Sequence, residues 1–292
     1  MVYIIPLEKS IKPIEISAKF TQSVGAIDIR SNQSIHFTGT LPEDLYTFVY
    51  TGKSRGRHTW HGSAFDQAII ETSGKNHQVD DLVIGQTDVR IVLIRKNLMQ
   101  RFLQDSGKDL SLYYAEHAYS IVEKDIDLFL DMHARILAKG NVSDKEVGAL
   151  VLRILQKPAT DKALPEQGYD LVNTAIGLMK EHIKSPLLIS ELADILDVNI
   201  RTLELAFNKH FQISPKAYYK RLLLQIIEIR LRERDSNETN VADVLAEYQI
   251  YNLSQFGLSF KNYFKKTPAS IGTLNDEENP FGWNEKIFTE FA

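Results

Sequence analysis

Two groups of side chains in this sequence are of kinds that do chemistry. The first is a set of metal-ligating types in one stretch: His36, His58, His61, Glu71 and His77. Imidazole nitrogens and carboxylate oxygens hold divalent ions when several converge. Alternate residues of a strand share a face, so a His-x-His pair is the pattern that would signal such a site. His58 and His61 are three apart, which turns them to opposite faces of a regular strand. Solvated or satisfied histidines are therefore expected here, with no metal, no catalytic residue and no cofactor. Cysteine is absent, which excludes disulfides, thiolate zinc sites and cysteine nucleophiles.

The second group is a pair of hydrogen-bonding sets. Arg201, Thr202, Glu204 and Lys209 form one, with Leu205 among them. Asn252, Ser254, Gln255 and Lys261 form the other, with Leu253 and Leu258. On the outer face of a helix these types match the edges of base pairs. Arginine presents two donors to guanine O6 and N7, glutamine pairs bidentately with adenine, glutamate accepts from cytosine N4, and a leucine meets a thymine methyl. A merely solvated helix face has a similar composition. The difference here is that the two sets occupy equivalent places in a repeat.

The repeat runs from about Leu188 to Ile271. At an offset of 53 residues, Ala193 falls on Ala246, Asn199 on Asn252, Leu203 on Phe256, Phe207 on Phe260 and Phe211 on Phe264, while Ser214-Pro215 falls on Thr267-Pro268. A short unit used twice at one offset is a supersecondary motif in tandem. In the first copy Ile189, Leu192, Ala193 and Leu196 lie on one helical face, and Asp197-Val198-Asn199 breaks the pattern. Asn199 then caps a second helix that buries Leu203, Phe207 and Phe211. In the second copy Asn240 and Asp243 open the first helix in capping-box positions, and Asn252 with Gln255 opens the second. Each copy reads as a helix-turn-helix. Between them, Ser214-Pro215 starts a long helix that runs to Arg234 and ends at Asp235-Ser236-Asn237. About 20 residues at 1.5 Å rise span roughly 30 Å. That is close to the roughly 34 Å of one DNA turn, so such a rod can set two helices into successive major grooves.

Residues 168–272 resemble the DNA-binding region of the AraC/XylS family of bacterial transcription regulators. The resemblance is carried by Ile189-Ser190-Glu191-Leu192-Ala193, Arg201-Thr202-Leu203 with Ala206-Phe207, and Phe211-Gln212-Ile213-Ser214-Pro215. In the second copy it is carried by Asn252-Leu253-Ser254-Gln255-Phe256, Phe260-Lys261 and Phe264-Lys265-Lys266-Thr267-Pro268. It covers about a third of the chain, and it implies sequence-specific DNA binding by a pair of helix-turn-helices beside a separate effector or dimerisation domain. Departures are visible too. Gln249, Gln212 and Lys265 stand where the family usually has glycine, Leu205 and Leu258 where polar side chains are common, and Glu204 where glutamine is common.

The net charge of −4 is unevenly placed. Residues 1–184 carry −1, residues 185–274 carry +1, and the tail from 275 carries −4. Attraction to phosphate must therefore come from local placement of Arg201, Lys209, Lys216, Lys220, Arg221, Lys261, Lys265 and Lys266.

Ahead of the repeat, from about Phe20 to Ile94, the hydrophobic period is near 2. Val24–Ile29, Ser34–Phe37, Tyr46–Tyr50, His58–Trp60, Ala68–Ile70, Leu82–Ile84 and Arg90–Ile94 are short runs of β-formers punctuated by Gly, Asn and Asp. Many short strands suggest a barrel or double-sheet jelly roll, similar to the cupin-like domains found ahead of such DNA-binding regions. Tyr46, Phe48, Trp60 and Phe65 are the candidates to line an effector pocket there, though the same residues would simply fill a core. Helical spacing follows, through Ala118, Ile121/Val122, Ile126, Phe129 and Met132/His133, and again from Val147 to Leu155. These helices either cover the sheet or supply a dimer face.

The chain, 292 residues with 43% hydrophobic content, is long enough for two compact domains. The expected fold class is α+β. A cupin-like effector or dimerisation domain takes 1–156, a linker 157–167, and a DNA-binding domain 168–274, with motifs at 188–211 and 241–264. An acidic, aromatic tail takes 275–292. The expected function is transcription regulation by a DNA-binding protein under small-molecule control, not an enzyme. Its expected partners are promoter DNA, an effector, a second copy and RNA polymerase. The first ten residues lack a basic region with a cleavage site, and no segment approaches the ~20 apolar residues of a membrane span, so a cytoplasmic location is expected. Two other classes remain open: a cupin-type metalloenzyme holding metal through His58, His61 or His77, and a helical protein-interaction module.

Overall fold

The computed structural model describes residues 2–8, 12, 14–41, 44–52, 57–65, 69–73, 78–107, 117–120, 122–139, 142–157, 165–234 and 239–271. His77, Ala68, Ile121, most of the linker, the Asp235-Ser236-Asn237 helix stop and the tail lie outside them. The described chain folds into two compact units. One holds Val2 and residues 12–157; the other holds residues 3–8 and 165–271. The division departs from the sequence reading at the N-terminus, where residues 3–8 go with the helical unit. There Arg221 donates to the carbonyls of Pro6 and Glu8, and the Lys180 ammonium sits 6.0 Å from the Tyr3 ring.

The strands are β1 (Val2–Pro6), β2 (Ile14–Phe20), β3 (Val24–Ser31), β4 (Ile35–Thr40), β5 (Leu45–Thr51), β6 (His58–Trp60), β7 (Ser63–Phe65), β8 (Ile69–Ser73), β9 (Gln78–Val83), β10 (Thr87–Arg95) and β11 (His117–Ser120). In the first unit β4, β9, β6 and β7 pair in that order in one antiparallel sheet. A second sheet has the order β11-β8-β5-β10-β3-β2, antiparallel throughout. The two sheets face each other as a sandwich, the double-sheet form of the expected jelly-roll-like domain. Helices α1 (Lys96–Asp105), α2 (Glu123–Lys139) and α3 (Asp144–Leu155) lie on the outer face of the second sheet.

That arrangement explains why β5 and the Ile91–Ile94 half of β10 show no inside–outside alternation of polarity: both faces are covered there. Tyr46, Phe48, Tyr50, Val92 and Ile94 join Leu98, Met99, Phe129, Met132, Val147 and Val151 in the sheet–helix core. The helices thus cover the sheet. His133 on α2 ties the layers together, its Nε2 2.9 Å from the carbonyl oxygen of Ile27. The helical spacing read from Ala118 onward starts too early. Residues 117–120 are strand β11, paired with β8 at the sheet edge, and the helix begins at Glu123. Strands β1, β2 and β7 are further elements that the period-2 pattern left out.

The second unit is helical: α4 (Tyr169–Glu181), α5 (Ile189–Ile195), α6 (Ile200–Phe211), α7 (Pro215–Glu233), α8 (Val241–Glu247) and α9 (Leu253–Phe264), closed by a 3-10 turn at Pro268–Ser270. The caps are those the sequence points to. Asn199 accepts from the Thr202 N–H, Ser214 from Ala217, and Asn252 from Gln255, while Asn240 and Asp243 close a reciprocal box. The duplicated phenylalanines are core. Phe207 and Phe211 pack with Tyr218 in one half, and Phe256, Phe260 and Phe264 form a chain of rings in the other.

The positions where glycine is usual explain themselves in the backbone. Gln212 and Lys265 terminate α6 and α9 at φ 58° and 59°, and Gln249 sits in the second turn at φ 57°. All three occupy the left-handed region that costs an L-residue roughly 1–2 kcal/mol. Gln212→Gly and Lys265→Gly are each expected to raise stability by about 0.5–1 kcal/mol, part of the gain being lost to the entropy of the unfolded chain. Gln212→Val should lower it, because a β-branched side chain fits this region worst. Urea midpoints at unchanged slope measure both effects.

Candidate nucleic-acid interface

The outer faces of α6 and α9 carry the two hydrogen-bonding sets. Arg201, Thr202, Glu204, Leu205 and Lys209 are all exposed on α6, and Asn252, Leu253, Ser254, Gln255, Leu258 and Lys261 are all exposed at or on α9. Leu203, Phe207 and Phe211 anchor the opposite face of α6, and Phe256, Phe260 and Phe264 that of α9. Leu205 and Leu258 are 58% and 63% exposed. Tyr251, just ahead of α9, is exposed as well and was not singled out from the sequence.

Not every polar group on these faces is free. The Thr202 hydroxyl hydrogen-bonds the Asn199 cap at 3.0 Å, and Lys209 donates to the Gln167 carbonyl at 3.0 Å. Lys220 on α7 reaches Ser259 on α9, and Lys265 bonds the Asn262 carbonyl. Asn252 spends its oxygen on the helix cap, and its amide lies 3.4 Å from the Gln255 side-chain oxygen. Arg201, close to the start of α6, is a long, exposed cationic side chain. Gln255 is likewise exposed near the start of α9.

Helix α7 fixes these two faces relative to each other. Its 19 residues make a rod of about 28 Å. Tyr218, Tyr219 and Leu222 are buried towards its start, and Leu224, Ile227 and Leu231 serve the second core with Val244, Leu245, Phe256 and Phe260. Arg230 adds a two-point ion pair to Glu247 at the end of α8, at 3.0 and 3.3 Å.

The first unit holds a small cavity between its sheets. Phe37, Thr47, Val49, Thr51, Trp60, Glu71, Asp81, Val83, Val89, Ile91 and Leu93 are among its lining residues. Room for water-sized centres is about 40 Å³, enough for a few waters. Of the four expected pocket residues, Trp60 lines it. Phe65 packs on Trp60 and Ile69. Tyr46 and Phe48 do not line it: their neighbours Thr47 and Val49 point to the cavity, so strand alternation turns Tyr46 and Phe48 to the helices.

His58 meets Glu71 and Asp81 here, with one ligand-type atom from each within 4.8 Å of the others. His58 Nε2 approaches Glu71 Oε1 to 3.0 Å, off the axis of a hydrogen bond. Burial pushes the Glu71 carboxyl up to about 8. Burial, with the neighbouring Glu71 charge, holds Asp81 well above the carboxylate range, and burial lowers the His58 imidazole. His61 is not among the three; it sits at φ 47° in the turn after β6. His36 instead faces Asp80 at 2.5 Å.

The helical unit thus carries two helix-turn-helices on one linking helix. No family model matches the chain. Among curated proteins, XylDLEGF operon transcriptional activator 1 of Pseudomonas putida is 20% identical over 130 residues, 44% of this chain and 39% of its own length. Activator 2 of the same organism is 21% identical over 131 residues, 45% of this chain and 83% of its own. The chain spans about two fifths of the length of the first of these relatives. Among solved structures, an AraC-type DNA-binding domain protein from Chromobacterium violaceum is 24% identical with a TM-score of 0.30, covering 33% of this chain and 84% of that one. ToxT from Vibrio cholerae is 11% identical with a TM-score of 0.37, covering 88% and 97%. With the duplicated motif, the sequence matches make the chain similar to the AraC/XylS transcription regulators. No helix among the described residues is long and apolar enough to cross a membrane.

Ile226→Pro tests the rod. It removes a backbone donor and clashes with the carbonyl one turn earlier, at a cost of about 3 kcal/mol or more. A nuclease footprint of the variant is expected to shrink to one groove; an unchanged two-groove footprint at wild-type affinity would contradict the role given to α7.

Proposed function

We propose that this chain is a sequence-specific regulator of transcription that binds promoter DNA with α6 and α9 in successive major grooves. The observation that supports it best is the pair of exposed, polar recognition faces joined by one buried helix of about 28 Å. The geometry requires no long-range electrostatic attraction, which suits a region of net charge near +1. Exposed Leu205 and Leu258 offer methyl surface to thymine. The sandwich unit is the receiver of a small-molecule effector, and the roughly 40 Å³ of room between its sheets favours a small one. A second copy of the chain and RNA polymerase are the protein partners of this reading, and a cytoplasmic location goes with it.

The two faces are tested separately, with binding sites first selected from random duplexes. Arg201→Ala and Gln255→Ala are each expected to cost about 1–3 kcal/mol on the selected site and to relax preference at one or two base pairs. The two relaxed positions should lie about one helical turn apart. Lys209→Ala, whose ammonium is already tied to a carbonyl, should weaken all sequences alike and lower the salt slope by about one or less. Unchanged preferences in folded Arg201→Ala and Gln255→Ala proteins, or two changes in the same groove, would sink the reading.

A further inference from the structure

We propose that His58, Glu71 and Asp81 form a divalent transition-metal site between the two sheets. The three ligands come from three strands, β6, β8 and β9, so both sheets contribute. Strand alternation delivers them. His58 shares its face with the cavity residue Trp60, Glu71 pairs across the ladder with the cavity residue Val49, and Asp81 lies between the cavity residues Val79 and Val83.

The geometry is close to that of a coordinated ion. A metal at 2.0–2.2 Å from nitrogen and oxygen ligands holds neighbouring ligands roughly 3–3.5 Å apart. His58 Nε2 and Glu71 Oε1 are already 3.0 Å apart, and no separation in the set exceeds 4.8 Å. Closure therefore needs side-chain movements of about an ångström or less.

A second observation points to the ion independently. Glu71 is 1% exposed, yet among the described residues its carboxylate oxygens meet no N–H or hydroxyl donor, only the facing Asp81 carboxyl. Asp81 Oδ1 and His58 Nε2 are in the same condition. Buried polar atoms are ordinarily paired, and four orphans converging on one point ask for a shared partner. Among the described residues, no lysine or arginine lines the cavity to serve as that partner. One imidazole with two carboxylates is a donor set for zinc and its first-row neighbours; a site for magnesium or calcium would be built from oxygen alone. Three protein ligands leave a position for water or for a donor atom of the effector, and the cavity has room there.

The proposal does not depend on DNA binding, because metal content and DNA affinity are read in separate experiments. The test uses the full chain, stripped with a chelator and titrated with Co²⁺ and then Zn²⁺. One ion per chain is expected, with visible d–d absorption for Co²⁺ that Zn²⁺ abolishes. In a Trp283→Phe background, where Trp60 is the one remaining tryptophan, Co²⁺ should quench emission at the same stoichiometry. Glu71→Gln and Asp81→Asn should each weaken binding by about 100-fold or more, exceeding the loss typical of an outer-shell change. His61→Asn should leave it unchanged. If wild-type chain takes up no stoichiometric ion, or does so without quenching Trp60, the proposal is overturned and the cluster is a set held together by shared protons. Uptake that survives Glu71→Gln and Asp81→Asn overturns it equally. Should either variant fail to fold, the wild-type stoichiometry and the Trp60 signal still decide.

Discussion

The helical unit depends on one constraint, that α7 is shared. Of its 19 residues only Lys216, Lys220 and Glu233 are exposed, so the rod is packed around most of its circumference. A helix so enclosed cannot rotate or slide without opening one core or the other. Close-packed interiors resist such adjustment, since voids and off-rotamer side chains are both penalised. The separation and relative turn of α6 and α9 are therefore set by the packing of Tyr218 and Leu222 in one half and of Leu224, Ile227 and Leu231 in the other. Helix α6 gains its direction from Leu203, Phe207 and Phe211, and α9 from Phe256, Phe260 and Phe264, each set spaced four residues apart, fastening one face and releasing the opposite one.

A different constraint governs the sandwich. Strand β5 and the Ile91–Ile94 half of β10 have apolar or β-branched residues on both faces, because helices cover one side and the facing sheet covers the other. On β5 this sends Tyr46, Phe48 and Tyr50 outward to α2 and α3 and leaves the smaller Thr47, Val49 and Thr51 inside. The large aromatics thus fill the sheet–helix layer, and the small inward residues create the room between the sheets. Size segregation between the two faces of a single strand makes the cavity. Trp60, from the opposite sheet, is the large residue that limits it.

Much of the helical unit was legible in the sequence because its signals are local. Caps, Pro at the start of α7 and the 3.6 period act within one or two turns, and the duplication at an offset of 53 checks each against its twin. The strands of the sandwich were legible where they alternate with turn residues, less so at its edges. β11 was read as helix because four residues, His117–Ser120, are too few to separate a period of 2 from one of 3.6, and pairing with β8 decided the matter. The inward or outward sense of Tyr46 and Phe48 was not legible either. With both faces of a strand apolar, the pattern does not say which face meets helices. The same gap hid the partners of His58. Glu71 and Asp81 are 13 and 23 residues away, on strands whose neighbours only the sheet order reveals.

Buried charged groups in the two units make an instructive contrast. Glu228 and Arg232 lie one turn apart on α7, both almost wholly buried and directly paired. Burial pushes the Glu228 carboxyl up while the Arg232 charge opposes it; one Glu228 oxygen takes the Arg232 guanidinium, and the other has no hydrogen-bond partner among the described residues. Removing one partner of such a pair strands the other, whereas replacing both by well-packed apolar residues is often neutral or stabilising. Its value therefore lies in register, since each half matches only the other. Glu71 and Asp81 have no such complement: two carboxyls face each other and an imidazole, and burial favours the uncharged form of each. A fold built for stability alone would place valine or leucine there, as it does at Val49, Val83 and Leu93 around them. Keeping three ionisable side chains on three different strands, at the point where the sheets leave room, is a cost that packing does not recover. A ligand that binds the charged forms recovers it, and would draw β6 and β9 in one sheet towards β8 in the other.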